Sequence, residues 1–153
     1  MTEQNNDTRI AQILTSTKVI GLVGLSNKSE RASHRVANFL ATKGYRVIGV
    51  NPGLAGQEMF GEVVVASVSQ LPAETDMIDL FRNSDAVGPI VDEALGALPG
   101  LKTVWMQLEI FNADAREKAE AKGIAVVEDR CPKIEFPRLF GDQSLADLQK
   151  ASV

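Results

Sequence analysis

Six short apolar runs alternate along the chain with amphipathic stretches, and this alternation constrains the fold more than any other feature. Most of the runs are continuously apolar, which is typical of parallel strands covered on both faces. Strands separated by helices imply right-handed crossovers and a doubly wound sheet. The sequence therefore predicts a Rossmann-like, three-layer αβα fold of the α/β class, with a mainly parallel sheet in a single domain. The runs lie at 19–23, 47–50, 63–65, 77–81, 104–106 and 124–127.

Helix start and stop signals lie between these runs. A short helix is predicted from about Thr8 to Ser16, before the first strand. The stretch 33–43 has one apolar face and ends before Gly44, a residue suited to a helix C-terminus. Another apolar face spans 90–98, and Asn112 can cap a further helix. One or two more helices are expected after Cys131. The domain is expected to span 9–149, between flexible tails at 1–8 and 150–153.

Charge and cysteine content narrow the function classes. The net charge is -4, which argues against nucleic-acid or anionic-membrane binding, because both need a basic face. A small anionic ligand is compatible with this charge, since a few local donors suffice for it. Cys131 is the single cysteine, which indicates a reducing compartment, and one histidine with one cysteine argues against a structural zinc site. The polar start, MTEQNNDTR, lacks the features of a signal peptide, so a cytoplasmic location is expected.

The loop that follows the first apolar run is the strongest candidate for a binding site. It leads directly into a helix, whose first N–H groups lack intrahelical partners and whose dipole favours negative charge. Gly24 allows close approach of the backbone. Ser26 and Ser33 offer hydroxyl groups, and Arg31 is well placed for a pyrophosphate. The alternative is a plain strand-to-helix turn with Ser33 as the N-cap; the combined features favour phosphate binding. Lys28 and Arg35 add positive charge.

The loop departs from the dinucleotide-binding fingerprint. Its glycines are spaced Gly21-x-x-Gly24, and Asn51 ends the second run where NAD-binding domains carry an acidic residue. An uncharged amide suits NADP or coenzyme A instead. No carboxylate pair, Ser-His-Asp set or Walker loop is present, so no catalytic residue is predicted. An NADP-dependent oxidoreductase domain and a ligand-gated regulatory module acting on a protein partner remain alternative functions.

Several sequence blocks, in order, resemble the small stand-alone coenzyme A-binding proteins. The similarity runs from about residue 19 to residue 139, and it extends to the nucleotide-binding domain of the succinyl-CoA synthetase alpha subunit. The resemblance implies a non-catalytic protein that binds coenzyme A or an acyl-CoA as a carrier, sensor or accessory protein, with a possible protein partner. The blocks are 23–26, 31–36, 44–45, 50–52, 79–84, 104–108 and 129–135.

The resemblance also implies a path for the ligand. The pyrophosphate would lie on Ser26, Arg31 and Ser33, and the adenosine near residues 51–52. The pantetheine arm would pass residues 81–82 on its way to the end of the strand at 104–106. The full set of expected ligand-binding residues is Gly24, Leu25, Ser26, Arg31, Ser33, His34, Arg35, Asn51, Pro52, Phe81, Arg82, Met106, Gln107 and Cys131.

Some of these residues have competing structural interpretations. His34 can donate to phosphate or can face solvent at the helix start. Arg82 can reach the ligand or form a surface ion pair. Met106 fits the hydrophobic core as well as a ligand site. Cys131 can form a mixed disulfide with coenzyme A if exposed and activated. The preferred interpretation of Cys131 is a small buried residue that begins a helix.

Overall fold

Five of the six apolar runs form one parallel sheet. The computed structural model describes residues 6–151, and the strand order of this sheet is β2-β1-β5-β6-β7. Nearly every position in these strands is buried, as expected for a sheet covered on both faces. The predicted α/β doubly wound fold is therefore confirmed. The strands are β1 (Val19–Val23), β2 (Arg46–Val50), β5 (Met77–Leu80), β6 (Thr103–Met106) and β7 (Ala125–Val127).

The run at 63–65 is the exception, because it does not add a strand to the main sheet. It contributes to a small antiparallel hairpin of β3 (Glu58–Met59) and β4 (Glu62–Val63), and it touches the sheet through a single bridge between Val50 and Val65. Positive φ angles at Phe60 (56°) and Gly61 (82°) form the turn between β3 and β4. The run is divided between the hairpin and the bridge to the main sheet, and Val63 stays 54% exposed.

Helices cover both faces of the sheet and give the predicted three layers. One core lies on the face that includes Leu22, Met77 and Trp105, against α1, α2 and the C-terminal helices α5 and α6. The other core includes Val23 and Ile78, against α3 and α4. The helices are α1 (Asp7–Ser16), α2 (Ala32–Lys43), α3 (Ser84–Ala97), α4 (Ala113–Ala121), α5 (Pro132–Phe140) and α6 (Leu145–Ala151), with 3₁₀ turns at Pro52–Leu54 and Val68–Gln70.

Local signals explain where these helices begin and end. Gly44 ends α2 with a φ of 111°, a conformation that suits glycine. The Asn112 side chain accepts a hydrogen bond from Ala115 N at 3.0 Å and caps α4 as predicted. Asn6 caps α1, so this helix already begins at Asp7, inside the range expected for the N-terminal tail. Helix α6 likewise reaches into the range expected for the C-terminal tail. The remaining parts of the two expected tails, residues 1–5 and 152–153, lie outside the described residues.

The strand order places a topological switch between β1 and β5. The chain leaves β1 through α2 toward β2, and the helix that follows β5 packs on the opposite face of the sheet. In open α/β sheets the crevice at such a switch, outside the carboxyl ends of the strands, is where ligands bind. Between residues 6 and 151, no helix is long and apolar enough to cross a bilayer. The same part of the chain has no group of three or more His, Cys, Asp or Glu side chains placed to hold a metal ion.

Candidate functional site

A cavity of about 340 Å³ lies at the switch between β1 and β5. Its walls come from the loop after β1, from the first turn of α2 and from the residue after β5. The cavity lies in the loop that the sequence singles out as the candidate binding site, and most of its lining side chains are polar or charged. Five of the expected ligand-binding residues meet here. The lining residues of this cavity, called the phosphate cavity below, are Gly24, Ser26, Lys28, Arg31, Ala32, Ser33 and Phe81.

Gly24 allows the backbone to form one wall of the phosphate cavity. Its φ is 92°, which side chains with a Cβ atom rarely adopt. A Cβ atom at this position would lie only 2.6 Å from the carbonyl oxygen of Phe81. Both conditions require glycine, because neither the backbone of Gly24 nor that of the neighbouring strand can move away without disturbing the sheet.

Hydrogen bonds within the loop fix its shape. Ser26 N donates to Ser33 Oγ at 2.9 Å, Lys28 N donates to Ser26 Oγ at 3.1 Å, and Arg31 N donates to Lys28 O at 3.0 Å. The alternative role of Ser33 as the N-cap is therefore wrong: Arg31 occupies that position, and Ser33 braces the loop instead. Both hydroxyl oxygens act as acceptors in these bonds, so each hydroxyl hydrogen can still donate to a ligand oxygen.

Two positively charged side chains line the phosphate cavity. Lys28 and Arg31 are exposed, and neither forms an ion pair with any described residue. The first N–H groups of α2 lack intrahelical acceptors and add the positive end of the helix dipole. No side chain of the described residues caps this helix start. The arrangement can therefore hold an anion through backbone donors, hydroxyl groups and cations together.

A second cavity, of about 140 Å³, opens on the α3 side of the strand ends. It contains two of the expected residues, Pro52 and Arg82, and its walls are mainly apolar. Glu93 contributes a carboxylate that accepts a 2.9 Å hydrogen bond from Ser69 N, and this bond lowers the pKa of Glu93 below its usual value. The lining residues of this cavity, called the apolar cavity below, are Val23, Val50, Pro52, Ala66, Ser67, Val68, Arg82, Ile90 and Glu93.

A third hollow, of about 210 Å³, separates the starts of α2 and α5. Ala32 borders both this hollow and the phosphate cavity, so the two are neighbours. Two expected residues, Arg35 and Cys131, meet here. Cys131 is only 6% exposed and is the N-cap residue of α5, in agreement with the structural interpretation of this cysteine. The lining residues of this hollow, called the α2–α5 groove below, are Ala32, Arg35, Val36, Cys131, Lys133 and Ile134.

Five expected residues do not line any of these three cavities. The Leu25 side chain is fully buried, and Met106 is fully buried in the core on the α3 face. The His34 ring packs edge-on against Phe60, with ring centroids 5.0 Å apart. The Asn51 amide donates to Leu25 O at 2.7 Å and accepts from Gly53 N at 2.8 Å, so it braces two turns.

Gln107, the remaining expected residue, is 6% exposed and pairs with a residue that sequence reasoning missed. With its amide nitrogen turned toward β5, it donates to Asp79 Oδ1 at 2.8 Å and lies 3.2 Å from Oδ2. Asp79 is fully buried, and this burial raises the pKa of its carboxyl group well above the usual value. The sequence feature that could have pointed to Asp79 is its position as the one acidic residue inside the apolar run Met77–Leu80.

A larger hollow, with a volume of about 1000 Å³, lies at the opposite end of the sheet. It is bordered by Lys18 and Lys102, which precede β1 and β6, and by exposed residues of α1. Doubly wound sheets bind ligands at the carboxyl ends of their strands, and this hollow is at the amino ends. The smaller phosphate cavity is therefore the better candidate. The lining residues of the large hollow are Thr8, Ala11, Gln12, Thr15, Ser16, Lys18, Lys102 and Gln149.

Comparison with known proteins gives a consistent result. The family model described as the CoA binding domain matches residues 18–137. Protein YneT of Bacillus subtilis strain 168 is 31% identical over 125 residues, which cover 82% of this chain and 90% of that protein. A Thermus thermophilus structure is 36% identical with a TM-score of 0.82, and covers 88% of this chain and 99% of its own. A Pyrococcus horikoshii OT3 structure is 34% identical with a TM-score of 0.83, and covers 92% of this chain and 97% of its own.

Proposed function

The chain belongs to the CoA binding domain family, and from this premise we propose that it binds coenzyme A or an acyl-CoA as a non-catalytic carrier, sensor or accessory protein. The family itself supports binding of coenzyme A. The observation that carries the finer proposal is the phosphate cavity, where loop donors, the start of α2 and two exposed cations meet at the topological switch.

The diphosphate of coenzyme A is assigned to the phosphate cavity. Gly24 gives a ligand access to the backbone, and the hydroxyl groups of Ser26 and Ser33 face the same space. The start of α2 supplies free N–H groups, and Arg31 with Lys28 supplies charge-assisted hydrogen bonds. A diphosphate uses all of these groups at once, because it carries negative charge on several oxygens.

The adenosine is assigned to the apolar cavity. Pro52, Val68 and Ile90 give it apolar walls suited to a planar base, and Ser67 and Glu93 offer polar groups at its edge. Arg82 lines this cavity, and its Cδ atom would lie 3.3 Å from a Cβ atom built on Gly24. Arg82 is therefore close to both cavities and can bridge the phosphates and the nucleoside.

The pantetheine arm is assigned to the path from Phe81 toward Gln107 and the α2–α5 groove. Phe81 lines the phosphate cavity, and the groove begins where Ala32 borders both spaces. The arm carries two amide groups, for which Gln107 is the proposed hydrogen-bonding partner. Cys131 lies at the far side of this groove, where the thiol end of the ligand would arrive.

Ligand-induced stabilisation tests the proposal directly. Coenzyme A should raise the melting temperature, because a ligand that binds only the folded state stabilises that state. NADPH carries a diphosphate and a 2′-phosphate but no pantetheine arm, and it should raise the melting temperature less. Stabilisation by NADPH without stabilisation by coenzyme A would replace the proposal with the oxidoreductase alternative. Native mass spectrometry of the purified protein would identify the acyl group of any retained ligand.

A further inference from the structure

Asp79 is a carboxyl group inside the hydrophobic core. In the sheet register it lies between Leu22 of β1 and Trp105 of β6, on the face that packs against α2 and α5. It has no exposed surface, and no described Lys, Arg or His forms an ion pair with it. A polar group in such surroundings lowers stability unless it is hydrogen-bonded. Its hydrogen-bonding partner is the side-chain amide of Gln107.

The sheet register places this pair directly under the ligand path. Successive residues of a strand face opposite sides, so Asp79 and Phe81 face the same side of β5. Leu80 is in register with Met106, which makes Phe81 the lateral neighbour of Gln107. Phe81 lines the phosphate cavity. Asp79 therefore lies one layer below Phe81 and Gln107, at the floor of the proposed pantetheine path.

The contact between the two side chains fixes the Gln107 amide. With the amide nitrogen turned toward Asp79, it lies 2.8 Å from Oδ1 and 3.2 Å from Oδ2, so one end of the amide is tied to the core. The carbonyl oxygen Oε1 is then turned away from Asp79. A glutamine side chain without such a partner has several rotamers to choose from, and ordering it on ligand binding costs affinity.

We propose that Asp79 is a positioning residue, which holds Gln107 so that its Oε1 accepts a hydrogen bond from an amide N–H of the pantetheine arm. This inference rests on the proposed function, and it assigns Asp79 no contact with the ligand. The positioning role explains why the core contains a carboxyl group here, since an apolar residue of the same shape would pack without the cost of removing a polar group from water.

The test compares two ligands and three variants in calorimetric titrations. Coenzyme A has the pantetheine arm, whereas adenosine 3′,5′-bisphosphate lacks it. Asp79→Leu has nearly the same shape but no hydrogen-bonding group, and should weaken coenzyme A binding about tenfold while binding of the bisphosphate stays unchanged. Asp79→Asn retains a carbonyl acceptor for Gln107, and should bind coenzyme A like the wild type. Gln107→Leu should match Asp79→Leu, and the double variant should lose no more than either single variant.

Several results would overturn the inference. The first is an Asp79→Leu variant that binds coenzyme A as tightly as the wild type. The second is an Asp79→Leu variant whose affinity falls equally for both ligands. The third is a double variant in which the losses of coenzyme A affinity from the two single variants add. If Asp79→Leu fails to fold, NMR of the wild type decides: scalar coupling across the hydrogen bond from Gln107 Nε2 to the Asp79 carboxyl carbon supports the inference, and its absence refutes it. Wild-type protein that binds neither ligand would instead refute the proposed function, and the inference with it.

Discussion

Replacing Gly24 with alanine tests the geometry of the phosphate cavity, and the chain provides a matched control. Gly24 and Gly56 both have a φ of 92°, so alanine introduces the same backbone strain at each position. Their surroundings differ. A Cβ atom at Gly24 would lie 2.6 Å from Phe81 O and 3.1 Å from Phe81 C, whereas a Cβ atom at Gly56 would have no neighbour within 4 Å.

The magnitudes follow from these distances. A residue with a Cβ atom at positive φ costs about 1–2 kcal/mol, so Gly56→Ala should lower the free energy of unfolding by about that amount. Gly24→Ala adds an overpacking cost of about 1–3 kcal/mol, because the clash is with backbone and not with a flexible side chain. The predicted difference between the two variants is therefore about 1–3 kcal/mol.

Urea denaturation measures this difference, and titration with coenzyme A measures its functional counterpart. Gly24→Ala should also weaken coenzyme A binding, because relief of the clash moves a wall of the phosphate cavity. Gly56→Ala should bind the ligand normally, since Gly56 lines none of the cavities described above. Equal stabilities of the two variants, or normal coenzyme A binding by Gly24→Ala, would refute the reasoning.

Three further predictions concern charge and strain. Arg31→Ala should weaken coenzyme A binding by about 1–3 kcal/mol in calorimetric titrations. Lys102→Ala removes a charge at the amino ends of the strands and should leave binding unchanged, so equal effects of the two substitutions would contradict the assignment of the diphosphate. In urea denaturation, the free energy of unfolding of Asp79→Asn should rise relative to that of the wild type as pH increases above 3.8, the usual pKa, by up to about 1.4 kcal/mol per pH unit. A difference in free energy that does not change with pH would count against a raised pKa of Asp79. Glu109→Gly should raise the free energy of unfolding by about 1 kcal/mol, because Glu109 has a φ of 67°, which glycine adopts without strain. The backbone N–H at position 109 keeps its 2.8 Å hydrogen bond to Asp129 Oδ1 in the variant, and an unchanged urea midpoint would contradict the prediction.

The direction of the Asp79 prediction follows from proton linkage. Burial raises the pKa of the folded state, so between pH 3.8 and that raised pKa the folded protein binds more protons than the unfolded chain. The stability contributed by the protonated group is complete below pH 3.8 and is lost as pH rises. Asparagine does not titrate, and the Asn variant therefore lacks this loss.

Much of the fold could be predicted from the sequence because its signals are local. Continuous apolar runs predicted five strands of the sheet, and Gly44 and Asn112 marked helix ends correctly. The run at 63–65 was misleading because an apolar run does not show which strand it pairs with. Its first residue pairs with β3 in the hairpin, and its last residue forms a single bridge to Val50 of the main sheet.

The candidate site was predictable in part. The phosphate cavity is formed by residues adjacent in sequence, and the expectation for Gly24, Ser26 and Ser33 placed them together. The apolar cavity combines Ser67 from a 3₁₀ turn with Glu93 from α3, and no sequence pattern links these positions. His34 and Asn51 have side chains suited to a ligand, but tertiary packing gives them other partners.

Asp79 shows how stability and binding oppose each other at the end of this sheet. The buried carboxyl group lowers stability at neutral pH, since asparagine would keep the bond to Gln107 without the cost of burying a charge. Proton linkage predicts a gain in stability for Asp79→Asn whether the residue is purely structural or also positions Gln107, so stability alone does not separate the two roles. Asp79→Leu separates them: a structural role alters the binding of both ligands through the folded state, whereas positioning of Gln107 alters only the binding of the ligand that carries a pantetheine arm.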